Sequence, residues 1–284
     1  MILYSPRWLA RCRLRLLALS TVLLCAFTWM VYTAYDDGLF LPSSAPPAEL
    51  ASPPSRDVPL AIVLGKTRRE SVSWVYQMLP DWIPFIYTVD NEPGFGLHVP
   101  ANIGREAMVY LTFIIDHYDS LPAITAFLHS THYQWHNEDV GYYNSQVLHK
   151  LRIDTVNARG YVNLRCKVEP GCPSSVHPHN PTEIDVRKND VRARFRDIYV
   201  ELFNVSRVVD VPQVIGGMCC AQFAVSRERI LERPLEDYVR MRRWMLGQGQ
   251  GEGEGEGETG LSNFDVGWVF EKIWHVVFGE EAVL

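Results

Sequence analysis

The sequence predicts an α/β domain with a mainly parallel sheet flanked by helices, preceded by one transmembrane helix. Three observations carry that expectation. Short apolar runs alternate with segments of helical period from residue 58 onward, the order that builds a parallel sheet. Residues 16–35 are 20 consecutive uncharged, mainly apolar residues, which at about 1.5 Å per residue span the roughly 30 Å of a bilayer's hydrocarbon core. Between the two lies 36–57, where Pro42, Pro46, Pro47, Pro53 and Pro54 stand among Ala and Ser, a composition that favours extended, solvated chain.

The N-terminal elements define an address. Arg7, Arg11, Arg13 and Arg15 precede the apolar stretch, and Asp36 and Asp37 follow it. The asymmetry of positive charge places 1–15 in the cytosol and everything after the anchor on the luminal side. Trp29, Tyr32 and Tyr35 suit the outer interface. The stretch is longer than the apolar core of a cleaved signal peptide and ends without a small-x-small site, so it reads as a retained type II anchor. Removing its four arginines from the formal charge of −6 leaves −10 on the remainder. A domain that acidic repels the phosphate backbone, which excludes nucleic acid as a partner. The expected partners are the membrane, through 16–35, and a small-molecule or glycan substrate.

The folded domain, 58–284, opens with a buried strand at Pro59–Leu64, then a helix over Ser71–Leu79 and a second strand over Ile83–Val89. Asn102-Ile103-Gly104-Arg105-Glu106 forms a turn into a helix over Ala107–Tyr118, with Met108, Leu111, Ile115 and Tyr118 on one face. Leu121-Pro122 ends it, and Ala123–Leu128 is a third strand that runs into His129-Ser130-Thr131-His132-Tyr133-Gln134-Trp135-His136. Further helices are expected over Val140–Leu151, Glu183–Phe203, Leu235–Met245 and Val269–Phe278, with an apolar segment at Val208–Val225. Residues 247–260 alternate Gly with Gln and Glu, a low-complexity loop without side chains able to pack. Of the luminal cysteines, Cys166 and Cys172 are expected to close a small loop as a disulfide. Cys219 and Cys220 are not expected to pair with each other, because vicinal bridges are strained. Asn204-Val205-Ser206 is the usable glycosylation sequon.

Three clusters carry residues suited to chemistry. Asn102, Gly104, Arg105 and Glu106 stand at a helix start, where backbone dipoles and a guanidinium favour a bound phosphate; the plainer reading is an N-cap at Asn102 and an acid favoured by the local dipole. His129, His132 and His136, with Asn137, Glu138 and Asp139 beside them, offer imidazole and carboxylate to a divalent metal such as Zn or Mn. Solvent-facing histidines in an aromatic turn explain that spacing equally well. Glu271 and His275 are four residues apart and share a helix face, as a base and its orienting partner or a pair of ligands would, or as the rim of a core-filling terminal helix. A Ser nucleophile elbow, a P-loop and a dinucleotide turn are all missing.

The runs Asn102–Ala107, Tyr110-Leu111, His117–Pro122 and Phe127–His129 resemble the largely fungal and bacterial family named domain of unknown function 3431. The likeness continues through Tyr161–Cys166, Pro170–Pro173, Cys219–Ser226, Glu271, Trp274-His275 and Phe278-Gly279, covering nearly the whole luminal domain. A looser similarity is to nucleotide-sugar glycosyltransferases of the GT-A type. It implies a GT-A-like sheet, a Gly-Arg turn near the nucleotide, a strand ending at the metal site and a late His. Where such enzymes present Asp-x-Asp, this chain has His129-Ser130-Thr131-His132. The resemblance, with the anchor and stalk, implies a Golgi glycosyltransferase in which Arg105 steadies the leaving phosphates and Glu271 or Glu106 deprotonates an acceptor hydroxyl. Two other readings fit the same residues: a His-dependent metalloenzyme modifying a secreted small molecule or peptide, and a non-catalytic luminal binding or assembly factor.

Overall fold

A computed structural model describes residues 59–90, 96–248 and 260–284. The predicted tail, anchor and stalk, 1–57, and residues 249–259 of the low-complexity loop lie outside these. Among the described residues no helix is long and apolar enough to cross a membrane.

Among the described residues six strands form one mixed sheet: β1 (Leu60–Lys66), β2 (Trp82–Thr88), β3 (Leu97–His98), β4 (Ile124–His129), β5 (Tyr161–Asn163) and β6 (Phe223–Ser226), in the order β3-β2-β1-β4-β6-β5. The first four in that order are mutually parallel, with Val63 of β1 opposite both Phe85 and Phe127. β6 runs antiparallel to its neighbours β4 and β5. The sheet is therefore mostly, not wholly, parallel. Ala61 to Leu64 are completely buried, as expected for a central parallel strand covered on both faces.

Side chains alternate between the faces with the period of a strand. Val63, Phe127, Phe223 and Val225 join one core with α2 (Glu106–Asp116), α6 (Val191–Phe203), α8 (Leu235–Gln248) and α9 (Asn263–Val277), as numbered in chain order. Ile62, Leu64, Ala126, Leu128 and Ala224 face a second core with α1 (Ser73–Met78), α3 (Asn144–Lys150) and α4 (Ile153–Arg159). The remaining helices are α5 (Glu183–Arg187) and α7 (Arg227–Leu231). The chain visits β2 and β3 on one side of β1 and then crosses to β4 on the other. The carboxyl ends of β1 and β4 thus flank a topological switch point, the place where open α/β sheets bind ligands.

Several elements differ from expectation for local reasons. The helix expected over Glu183–Phe203 is two, because Asn189 turns left-handed (φ 51) and Asp190 starts α6 afresh by accepting from the Arg192 N–H. The terminal helix begins at Asn263, where Ser262 accepts from the Asp265 N–H. Within Val208–Val225 only the last three residues are strand, and Val208 and Val209 are exposed. Asn204 is the exposed, left-handed residue after α6, a position open to modification.

Candidate active site at the carboxyl ends of β1 and β4

Gly104 (φ 75) and Arg105 (φ 52) form a left-handed turn that delivers α2 to the edge of the sheet. A Cβ on Gly104 would meet Val266 Cγ1 at 2.9 Å as well as the movable Met245 methyl, in a backbone at φ 75 that favours glycine. Asn102, expected to cap α2, is exposed, and the residue preceding the helix is Arg105. α2 has no side-chain cap; the turn before it is held from a distance, where Asn263 Oδ1 accepts from the N–H groups of Gly104 at 2.7 Å and Arg105 at 3.2 Å. A partner 159 residues away has no local sequence signal.

The turn places Glu106, first residue of α2, against His129, last residue of β4. Glu106 Oε1 lies 2.9 Å from His129 Nδ1, and His129 Nε2 donates to the Cys220 carbonyl at 2.7 Å. The Cys220 carbonyl and an ionised Glu106 are both acceptors, so the arrangement favours hydrogen on both nitrogens and hence the imidazolium. Burial opposes charge on each partner. The hydrogen bond and mutual attraction outweigh it, lowering the Glu106 pKa to about 2 and raising that of His129.

A buried amide network fixes this pair. Gln222 Oε1 accepts from the His129 N–H at 3.1 Å, and Gln222 Nε2 donates to Asn137 Oδ1 at 3.3 Å. Asn137 Nδ2 donates to Asn144 Oδ1 at 2.8 Å, and Asn144 Nδ2 reaches the carbonyls of His129 and Thr131, both at 3.1 Å. On the β1 side Glu70 accepts from Thr67 N–H at 2.7 Å and from Ser130 Oγ at 3.0 Å, joining the two strand ends. Sequence reading missed Glu70, Gln222 and Asn144, since isolated polar residues carry no period.

The histidines do not gather as expected. His132 Nε2 pairs with Ser145 Oγ at 2.8 Å, and its ring stacks on Trp74 with centroids 4.8 Å apart. Burial pushes its pKa down to about 4. The His136 ring lies 5.6 Å from His129; burial, and then the His129 charge, push its pKa down to about 4. Among the described residues no group of three or more His, Cys, Asp or Glu is arranged to hold a metal ion. The set His129, His132 and His136 is not assembled, because His129 is held by Glu106 and Cys220 while His132 packs into the second core.

Residues 62–284 match the family described as Protein of unknown function (DUF3431). The chain belongs to the DUF3431 family. No curated protein and no solved structure matches it.

In this DUF3431 domain the cysteines also depart from expectation. Cys219 and Cys220 are bonded to each other, while Cys166 is exposed and Cys172 buried, both as free thiols. The 165–172 loop is closed by Arg165 instead, whose guanidinium donates to the carbonyls of Lys167 at 3.3 Å and Glu169 at 2.6 Å. The left-handed pair Cys220 (φ 84) and Ala221 (φ 48) carries the carbonyl that His129 uses. Alkylation of unreduced, unfolded protein should therefore label Cys166 and Cys172 and leave the Cys219-Cys220 peptide unlabelled. A Cys166–Cys172 cross-linked peptide in the mass map would refute the two free thiols, and alkylated Cys219 or Cys220 would refute their pairing.

Of the remaining candidates, Glu271 lies close enough for its charge to raise the His129 pKa further, and its Oε1 is 2.6 Å from Lys272 Nζ. The Arg105 guanidinium sits over the Phe264 ring, 4.8 Å from its centroid, on the first turn of the same helix. His275 does not join them. It is buried, its ring packs on Gly217, and its Nε2 is 3.2 Å from the Ala282 carbonyl, so it holds the C-terminal tail. Burial lowers its pKa.

Proposed function

We propose that this DUF3431 protein is a membrane-anchored, luminal glycosyltransferase-like enzyme of GT-A type, moving a sugar from a nucleoside diphosphate to an acceptor hydroxyl. The observation that carries the reading is the Glu106–His129 ion pair, 2.9 Å across, at the switch point of the sheet. Around it stand the parts the GT-A resemblance calls for: a central first strand, the Gly104-Arg105 turn, and β4 ending at the site. Lys66 ends β1, and Arg68 and Arg69 follow it at the same edge, where cations favour a diphosphate.

The residues at the end of β4 do not fit the divalent metal of many such enzymes, because both nitrogens of His129 are already engaged. Beside Glu106 the positive charge comes from His129 and Arg105, with Lys66, Arg68 and Arg69 at the end of β1. Charge preorganised where a leaving group develops negative charge lowers a barrier without reorganisation. In the transfer, the bond from the anomeric carbon to phosphate oxygen breaks and its electron pair leaves on the diphosphate. The acceptor oxygen bonds to that carbon and its proton passes to a carboxylate. Glu106 is ill-suited to take it, since a base near pKa 2 binds a proton weakly at neutral pH. Glu271 is assigned that role.

The test is thermal denaturation of the detergent-solubilised full chain with a panel of nucleoside-diphosphate sugars, with and without Mn. A donor at about a hundred times its Kd should raise the Tm by roughly 5 °C or more, and Glu271→Gln should keep that rise while abolishing transfer. If no nucleotide sugar protects the protein, the transferase reading fails; stoichiometric metal uptake in its place would favour the metalloenzyme.

A further inference from the structure

The loop joining β4 to α3 is built around aromatic side chains that the core does not use. Its stem is closed by an antiparallel bridge between Tyr133 and Tyr143, by Gln134 N–H donating to the Tyr142 carbonyl at 2.7 Å, and by Asn144 N–H donating to the His132 carbonyl at 2.9 Å. From this rigid stem Tyr133, Trp135 and Tyr142 project into solvent, with 49%, 58% and 41% of their surface exposed. Tyr133 and Tyr142 stack with centroids 5.5 Å apart and planes 12° from parallel. Tyr142 adopts φ 70 to do so, a conformation that costs a non-glycine residue about 1 kcal/mol and tends to be kept where function needs it. Exposed aromatic clusters of this kind are rare on a surface without a ligand or partner to cover them.

We propose that Tyr133, Trp135 and Tyr142 form the subsite for a carbohydrate acceptor, which rests on the transferase reading above and names its acceptor class. The platform is continuous with the reacting centre: the Trp135 ring contacts the His136 ring at 5.5 Å, and His136 contacts His129 at 5.6 Å. Arg165 lies over the Trp135 ring at 5.2 Å from its centroid, which orients the indole. Flat, negatively polarised ring faces complement the C–H faces of a pyranose, and Tyr and Trp add polar tips for its hydroxyls. At the rim, Glu138 and Asp139 stand 2.6 Å and 3.7 Å from Lys167. Lys167 and Arg165 balance those carboxylates and leave the rim near neutral, so stacked nucleic-acid bases would find no cationic track for their phosphates. Three side chains on one loop are also far short of the roughly 800 Å² per partner that a stable protein interface buries.

The experiment titrates neutral gluco-, manno- and N-acetylglucosamine hexasaccharides into the full chain, held in a detergent without a sugar headgroup, and reads intrinsic tryptophan fluorescence and heat. At least one series should bind saturably, and Trp135→Ala and Tyr133→Ala should each weaken it by about tenfold or more. The Tm and any protection by nucleotide sugars should stay unchanged in both variants, because these side chains are exposed. Absence of binding to every hexasaccharide, or binding that both variants retain, would overturn the subsite. Oligosaccharide binding without nucleotide-sugar protection keeps the platform and removes the transferase; protection without oligosaccharide binding does the reverse.

Discussion

Replacing Glu106 by Gln should lower the melting temperature by about 10 °C near pH 6 and flatten the acid limb of the stability profile. Glu106 ionises at about 2 in the folded domain against an ordinary value of 4.5, a difference worth about 3 kcal/mol by linkage, or roughly 6–12 °C in a domain of this size. That contribution is fully present above 4.5 and is lost as the pH falls through about 2. His129 works in the opposite sense: its pKa is raised from 6.5, so its contribution is complete below 6.5 and disappears as the pH rises through the higher folded value. These are one interaction seen from its two partners and are not added. The pair should therefore stabilise most between about pH 4.5 and 6.5. In Glu106→Gln the imidazolium faces an amide and the Cys220 carbonyl, and a charge stripped of its counterion is costly in a partly buried site. Melting curves from pH 2 to pH 9 for both proteins decide the matter; two profiles of the same shape, merely offset, would show that the ion pair contributes nothing to the pH dependence.

The second large effect is expected at Gly104. Alanine there meets the Met245 methyl and lies 2.9 Å from Val266 Cγ1, in a backbone at φ 75. Overpacking of that kind costs about 1–3 kcal/mol and the left-handed conformation about 1–2 more. The flexible end of Met245 can shift aside, but Val266 is stiff and the φ of 75 strains any side chain, so the remaining relief comes from rotating the turn, which moves Arg105 and Glu106 away from Asn263 and His129. Gly104→Ala should thus lower the urea midpoint sharply and, in the same variant, remove the pH-dependent stability ascribed to the ion pair. Gly247→Ala supplies the comparison. It sits in the exposed last turn of α8 with nothing within 4 Å of a new Cβ, so helix propensity alone should leave it neutral or slightly more stable. Equal midpoints for the two variants would show that the turn is not packed as described.

What the amino-acid sequence determines by itself is which residues leave water and with what period. Ala61 to Leu64 is an unbroken apolar run and Ile124 to Leu128 one interrupted only by Thr125, and both became central strands; Met108 and Leu111 recur at helical spacing and became buried positions of α2. The same runs put Glu106 at a helix start and His129 at a strand end, and a parallel sheet brings those ends to one edge. The acidic charge and the family resemblance were equally legible. Periodicity reports burial, however, and not the partner. Phe223 to Ser226 reads the same in either direction, and only pairing with Ile124 to Phe127 makes β6 antiparallel. Asn263 holds a turn 159 residues away, while Asn102, in the position that local rules favour, is left in solvent. The Cys219–Cys220 bond, the packing of His132 on Trp74 and the burial of His275 against Gly217 are likewise products of long-range contact. The charge of His129 belongs to the same class: a lone histidine is poised near neutrality, and the acceptors that the fold sets on each side of it, the Glu106 carboxylate and the Cys220 carbonyl, favour its cation.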